Sequence, residues 1–299
     1  MAQSHIVSGA DVSPASLRVR KIELADLFDA LRRGYADFMA MPSHAAFLCL
    51  IYPVMAIVLW RLTVGYDVLS LLFPLAAGFA LIGPLAALGL YELSRQREQG
   101  RDVSWRDAFD VFHSPSIGAI AALGAVLLIL FFVWLAVAQA IYVATFGYVP
   151  AASIPSFISQ ILTTAAGWKL IILGNGIGFL FAVLALSISV VSFPLLVDRD
   201  VGAAVAIATS VRAVVANPIT MALWGLIVAV LLFLGSLPLF LGLPVVLPVL
   251  GHATWHLYRK VVDAEQVPRA EIRPEPTEHR SAANFPAALF PAKEEPPKH

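Results

Sequence analysis

Hydrophobic and polar positions follow one another in long blocks along this chain instead of alternating residue by residue. Six apolar stretches stand out, at about 45–62, 68–90, 117–146, 168–197, 219–234 and 243–258. The longer ones are too extended and too free of charge for a water-soluble core. A hydrocarbon layer roughly 30 Å thick is crossed by about 20 apolar residues in a helix. Backbone groups in lipid must be satisfied internally, so spans are helices or strands of a closed barrel. Barrel strands alternate lipid-facing and lumen-facing residues, and the unbroken run 117–146 does not. The expected fold is therefore all-α, a polytopic membrane protein of about six transmembrane helices.

Shorter amphipathic segments precede every second span. In 24–42, Leu24, Leu27, Phe28, Leu31, Tyr35 and Phe38 share a helical face, with Glu23, Asp26, Asp29, Arg32, Arg33 and Asp37 largely off it. Ser104-Trp105-Arg106-Asp107 has the form of a helix-start cap, and Trp105, Ala108, Phe109 and Phe112 follow on one face before Pro115. A weakly polar helix over 202–216 ends at Asn217-Pro218. Each opening leads into two spans, which predicts three span pairs, each preceded by a short cytoplasmic interfacial helix. Glu92, Arg95 and Gly100, then Asp198, Arg199 and Gly202, precede the second and third openings in the same order. That echo suggests an internal repeat. Any helix entering a bilayer can also have a proline and an interfacial segment before it.

Composition agrees with the pattern: 59% of residues are hydrophobic, 13% are charged and the mean hydropathy is +0.81. Twenty basic and twenty acidic side chains cancel, leaving no nucleic-acid footprint. The single cysteine, Cys49, rules out an intrachain disulfide. Residues 1–21 lack an apolar central region, so no cleavable signal peptide is expected ahead of the first span. The expected organisation is a disordered tail over 1–21, a membrane domain over 22–262 and a disordered proline-rich tail over 263–299. Arginine and lysine crowd the N-terminal flank, the 92–106 and 198–212 connections and the C-terminal flank, while the other connections offer only Arg61 and Lys169. Basic excess marks the cytoplasmic side, so both termini are expected inside, which six spans allow.

Candidate chemistry is sparse. Glu92, Arg95, Asp198, Arg199 and Arg212 sit at span ends, with Asn217 beside them, as a possible functional polar cluster or as ion pairs that fix helix ends. Asn175, in Gly174-Asn175-Gly176-Ile177-Gly178, is the most polar group inside a span, suited to bonding across a helix contact or to lining a cavity. The glycines there form no phosphate-binding loop. His44, His113, His252 and His256 fall on one side of the topology, and the last two are spaced like a pair of metal or haem ligands. Histidines beside Trp255 and Tyr258 are also ordinary members of an interfacial aromatic belt. No metal ligand set and no nucleophile constellation is complete, so neither a cofactor nor a catalytic residue is expected. The expected partners are the lipid bilayer and another membrane protein or a second copy of the chain.

Five blocks carry a family resemblance: 73–84, Gly89-Leu90-Tyr91-Glu92, 192–199, 209–214 with Asn217-Pro218, and 251–260. Together they resemble the bacterial integral membrane proteins of the domain of unknown function 2189 family, over about 20–262. The resemblance implies a multi-pass inner-membrane protein without an assigned activity. Some relatives bear a label as putative cytochrome c oxidase subunit I. That chemistry needs many more helices and a full set of intramembrane histidine ligands, which this chain lacks. The sequence therefore points to a non-enzymatic accessory, assembly or scaffold protein. Its rivals are a small-solute or ion transporter or channel and, more weakly, a haem- or metal-binding respiratory accessory protein.

Overall fold

The computed structural model describes residues 17–41, 74–75, 83–148, 154–237, 241–265, 267, 269 and 270. The span expected at 45–62, most of that at 68–90, and His44 lie outside the described residues. The elements are β1 (Arg18–Val19), α1 (Leu24–Ala40), a one-turn helix Gly83–Ala86, α2 (Leu88–Glu98), a 3-10 helix (Trp105–His113), α3 (Ile117–Phe146), α4 (Ile154–Thr163), α5 (Ala165–Ser189), α6 (Ser192–Asp198), α7 (Ala203–Ala216), α8 (Pro218–Ser236), α9 (Leu243–Val261) and β2 (Val262–Asp263).

Among these, three helices are long and apolar enough to cross a membrane: Ile117–Phe146, Ala165–Asp198 and Pro218–Ser236. Three of the six expected spans meet that measure among the described residues. The sixth expected span is helical, as α9, but its second half carries His252, His256, Arg259 and Lys260 and is buried against α1 and α2. The helix Ala165–Asp198 breaks at Val190-Val191, between α5 and α6. Pro194 explains the break, because its ring lacks an N–H and crowds the carbonyl four residues earlier. The Val191 N–H donates instead to the Ser210 hydroxyl at 3.2 Å. The kink is packed, with Val190 and Val191 buried.

The spans turn large apolar side chains outward, among them Ile129, Phe132, Phe179 and Phe233. Their mutual core is concentrated at one end, where Leu123 and Leu127 of α3 join Phe193 and Leu195 of α6, Trp224 of α8, and Trp255 and Tyr258 of α9. Farther along, Trp134 of α3 packs against Phe181 of α5 with ring centres 5.5 Å apart.

The helix caps follow the sequence. The Ser104 N–H donates to Asp107 at 2.7 Å, and the Ser104 hydroxyl accepts from the Arg106 N–H at 3.3 Å. Glu23 and Asp26 form the same box at the start of α1. The buried face of α1 is unlike its apolar face, however. Leu27, Ala30, Gly34 and Asp37 are buried, while Leu24, Phe28, Tyr35 and Met39 are exposed. Small residues let α1 lie close against α9, and the bulky apolar side chains point away.

Order also reaches past the expected tail boundaries. Val19 pairs with Val262 and Arg18 with Asp263 in a two-stranded antiparallel ladder. Ala264, Val267 and Ala270 are buried beyond it. Hydrophobic anchors at Leu17 and Val267 hold these short segments on the bundle, a signal too local for composition to reveal.

Candidate functional site

The end of the bundle that holds the core also gathers most of the polar candidates. Glu92 and Arg95 lie three residues apart on α2 and form a two-pronged pair, with Nη2 to Oε1 at 2.6 Å and Nε to Oε2 at 2.8 Å. The Gln96 amide donates to Glu92 at 2.8 Å and to Asp110 of the 3-10 helix at 3.1 Å. Glu92 is 1% exposed and Arg95 6%. At that depth an unpaired charge would be very costly, and each charge here is paired.

Asp198, at the end of α6, faces the same region. Its carboxylate accepts from the Tyr258 hydroxyl at 2.8 Å and from Arg199 Nε at 3.1 Å, and lies 3.5 Å from Arg259 Nη1. Arg259 also pairs with Glu98 at 3.1 Å, and the Trp255 indole N–H donates to Glu98 at 3.0 Å. The Arg199 guanidinium donates to the Val267 carbonyl, and the Ala270 N–H to the Asp198 carbonyl at 2.9 Å. Residues beyond β2 thus close over the end of α6.

A third cluster joins α1, α2 and α9. The Asp37 carboxylate meets the Ser94 hydroxyl at 2.7 Å and His256 Nε2 at 2.8 Å, and Ser94 Oγ lies 2.7 Å from His252 Nδ1. Ser94 has one proton. Given to the ionised Asp37, it leaves the hydroxyl oxygen to accept from His252 Nδ1–H, a tautomer assigned from the network. Arg97 adds a contact to Asp37 at 3.5 Å. Burial raises the Asp37 carboxyl, but hydrogen bonds from His256 and Ser94 and the charge of the histidines outweigh it, so Asp37 titrates below the usual carboxylate range. Serine, histidine and aspartate are together here, but in the wrong order for a nucleophile. In a triad the imidazole takes the serine proton, whereas here the carboxylate does, and Ser94 is 1% exposed.

The remaining candidates separate. Asn217 is a buried clamp: Oδ1 accepts from the Ile22 N–H at 2.9 Å, and Nδ2 donates to the Arg20 and Ala213 carbonyls at 3.0 and 3.1 Å. Arg212 donates to the Leu17 carbonyl at 3.1 Å. Asn175 is not brought into the plate of charges. It lies exposed on α5 and donates to the Ile171 carbonyl of its own helix at 2.8 Å. His113 is exposed at the end of the 3-10 helix. Among the described residues no group of three or more His, Cys, Asp or Glu side chains is arranged to hold a metal ion.

Residues 72–198 match a family described as predicted integral membrane protein (DUF2189). The resemblance read from the sequence holds over that segment, which includes Glu92, Arg95, Ser94 and Asp198; Asp37, His252 and Tyr258 lie outside it. No curated protein and no solved structure matches the chain.

Sequence reasoning missed Asp37, Ser94, Glu98 and Tyr258 as members of the site. Asp37 and Ser94 are separated by 57 residues and Ser94 and His252 by 158, so no local spacing could join them. One signal was available: Gly34 and Asp37 share a face, and an acid beside a glycine on a helix suggests close approach by another element.

Proposed function

We propose that this integral membrane protein is a non-enzymatic accessory, assembly or scaffold protein of a bacterial inner membrane, acting through its cytoplasmic face. The observation that carries this reading is the closure of the polar plate. Glu92 with Arg95, Asp198 with Arg199 and Tyr258, and Asp37 with Ser94 and His256 spend their hydrogen-bonding capacity on one another. Such a network fixes helix ends and presents a rim. The rim holds a recess of about 230 Å³ lined by Arg95, Glu98, Asp198, Trp255, Arg259 and Arg269.

In this reading six spans form three pairs with both termini in the cytoplasm. Two features support the pairing. Gly100 and Gly202 both have left-handed backbones, with φ of 72° and 76°, at matching places before the second and third openings. The exposed Leu24, Phe28 and Tyr35 of α1, and Trp105, Phe109 and Phe112 of the 3-10 helix, suit segments resting in the headgroup layer. Reporter fusions after residues 41, 100, 148 and 237 test the topology, with cytoplasmic signal expected at 100 and periplasmic signal at 148 and 237.

The functional reading is tested by reconstituting the full chain in liposomes and following proton, ion and metabolite flux. No flux above that of empty vesicles is expected. Flux that is abolished by Asp198→Asn or Asn175→Ala makes the protein a transporter and sinks the scaffold reading.

A further inference from the structure

We infer that the outward stripe of α5 is a homodimer seam, closed inside the bilayer by hydrogen bonds between the Asn175 side chains of two copies. Trp168, Ile172, Asn175, Phe179 and Ala182 lie four, three, four and three residues apart. That is the spacing of the two core positions of a heptad, which keeps one helix face turned toward a partner helix. All five are exposed, Trp168 by 53%, Ile172 by 67% and Phe179 by 66%. The adjoining face of α5 is already used: a β-carbon on Gly178 would lie 3.0 Å from the Trp134 ring, and Phe181 packs on the same tryptophan.

Asn175 gives the stripe its meaning. It lies about 15 Å along the helix axis from Ala165, near the middle of a hydrocarbon layer roughly 30 Å thick. Its amide has two N–H donors and a carbonyl acceptor. One donor goes to the Ile171 carbonyl at 2.8 Å, which leaves one N–H and the Oδ1 facing outward. In lipid such groups are costly unless they find a partner.

A second copy supplies what is missing. Both copies share one orientation in the membrane, so a twofold axis along the membrane normal sets each residue opposite itself at its own depth. The free N–H of each Asn175 then donates to the Oδ1 of the other. Gly176, where an added β-carbon would meet nothing within 4 Å, leaves room for close approach on one flank of the seam. A polar residue at a heptad core position also fixes register.

The test uses the full chain with Cys49→Ser as background. Single cysteines at the seam (Ile172→Cys, Phe179→Cys) are compared in oxidised membrane vesicles with exposed off-seam positions (Leu173→Cys, Leu180→Cys). Disulfide-linked dimers are expected at the seam and not off it. In liposomes of graded protein content, energy transfer between labelled copies gives the dimer dissociation constant. Asn175→Leu should raise it roughly five- to twentyfold, and Asn175→Gln, which keeps donor and acceptor, should largely preserve it. Three results each overturn the proposal: a monomer at every protein-to-lipid ratio, equal cross-linking on and off the seam, or a dimer indifferent to Asn175→Leu. The first two would leave the stripe to lipid tails or to the apolar run 45–62 of the same chain.

Discussion

Gly34 of α1 lies so close to Ala253 of α9 that a β-carbon at position 34 would come within 2.5 Å of the Ala253 backbone nitrogen. Backbone cannot retreat as a flexible side chain can, so even alanine at position 34 forces α1 away from α9. Gly34→Val should cost at least about 1–3 kcal/mol by overpacking and expose α1 to protease. Gly83→Ala, where an added β-carbon meets nothing within 4 Å, is the control and should leave the melting temperature in detergent nearly unchanged. Equal losses in both variants would mean that α1 is not docked through Gly34.

The same docking predicts a pH window. Lys260 of α9 lies 3.0 Å from both Asp26 and Asp29 of α1. Asp26 is lowered by the Glu23 backbone N–H and by Lys260, and Asp29 by Arg32 and Lys260. Burial lowers Lys260, but hydrogen bonds to the two aspartates outweigh it and raise it. The depressed Asp26 and Asp29 stabilise the fold above their unfolded pKa of about 3.9 and lose this as pH falls through the folded value. A raised lysine stabilises below its unfolded pKa of about 10.4 and loses this as pH rises through the folded value. Protease sensitivity of α1 should therefore stay flat from about pH 5 to 9 and rise on both sides. A single step near neutrality would contradict this account.

Ser94 separates a structural from a catalytic use of the buried serine, histidine and aspartate. With its proton held by Asp37 and almost no exposure, it should resist fluorophosphonate labelling in the folded protein. Ser94→Ala should cost about 1–3 kcal/mol, because Asp37 and His252 each then lose a buried hydrogen bond to the hydroxyl. Labelling lost on Ser94→Ala would make the cluster a nucleophile site.

How far the sequence foretold this molecule depended on whether a feature was local. The spans were legible because lipid imposes a run of some 20 apolar residues, visible without knowing any contact. Glu92 and Asp198 were legible as charges at the ends of such runs. α9 was legible as an apolar run over Leu243–Val249, while burial of its second half against α1 is a tertiary fact. Asp37 looked like part of a solvated face, since Ala30 and Gly34 add little hydropathy even though their small size is what draws α9 in. Asn175 was read as bonding across a helix contact or lining a cavity, yet among the described residues it donates to its own helix, and of the glycines beside it only Gly178 packs against another helix.

Asp198 is the joint at which these elements meet, holding Tyr258, Arg199 and Arg259 at once. Its removal and the removal of a partner should differ in size. Tyr258→Phe takes one donor from a carboxylate that keeps two arginines, and should cost about 1–2 kcal/mol. Asp198→Ala leaves Arg199, 4% exposed, without its ion-pair partner, and should cost about 3–5 kcal/mol. The pair is coupled, so the double variant should be little worse than Asp198→Ala alone. Melting of the four proteins in detergent, run as a cycle, checks this. Strictly additive losses would mean that the Tyr258 hydroxyl draws its stability from elsewhere.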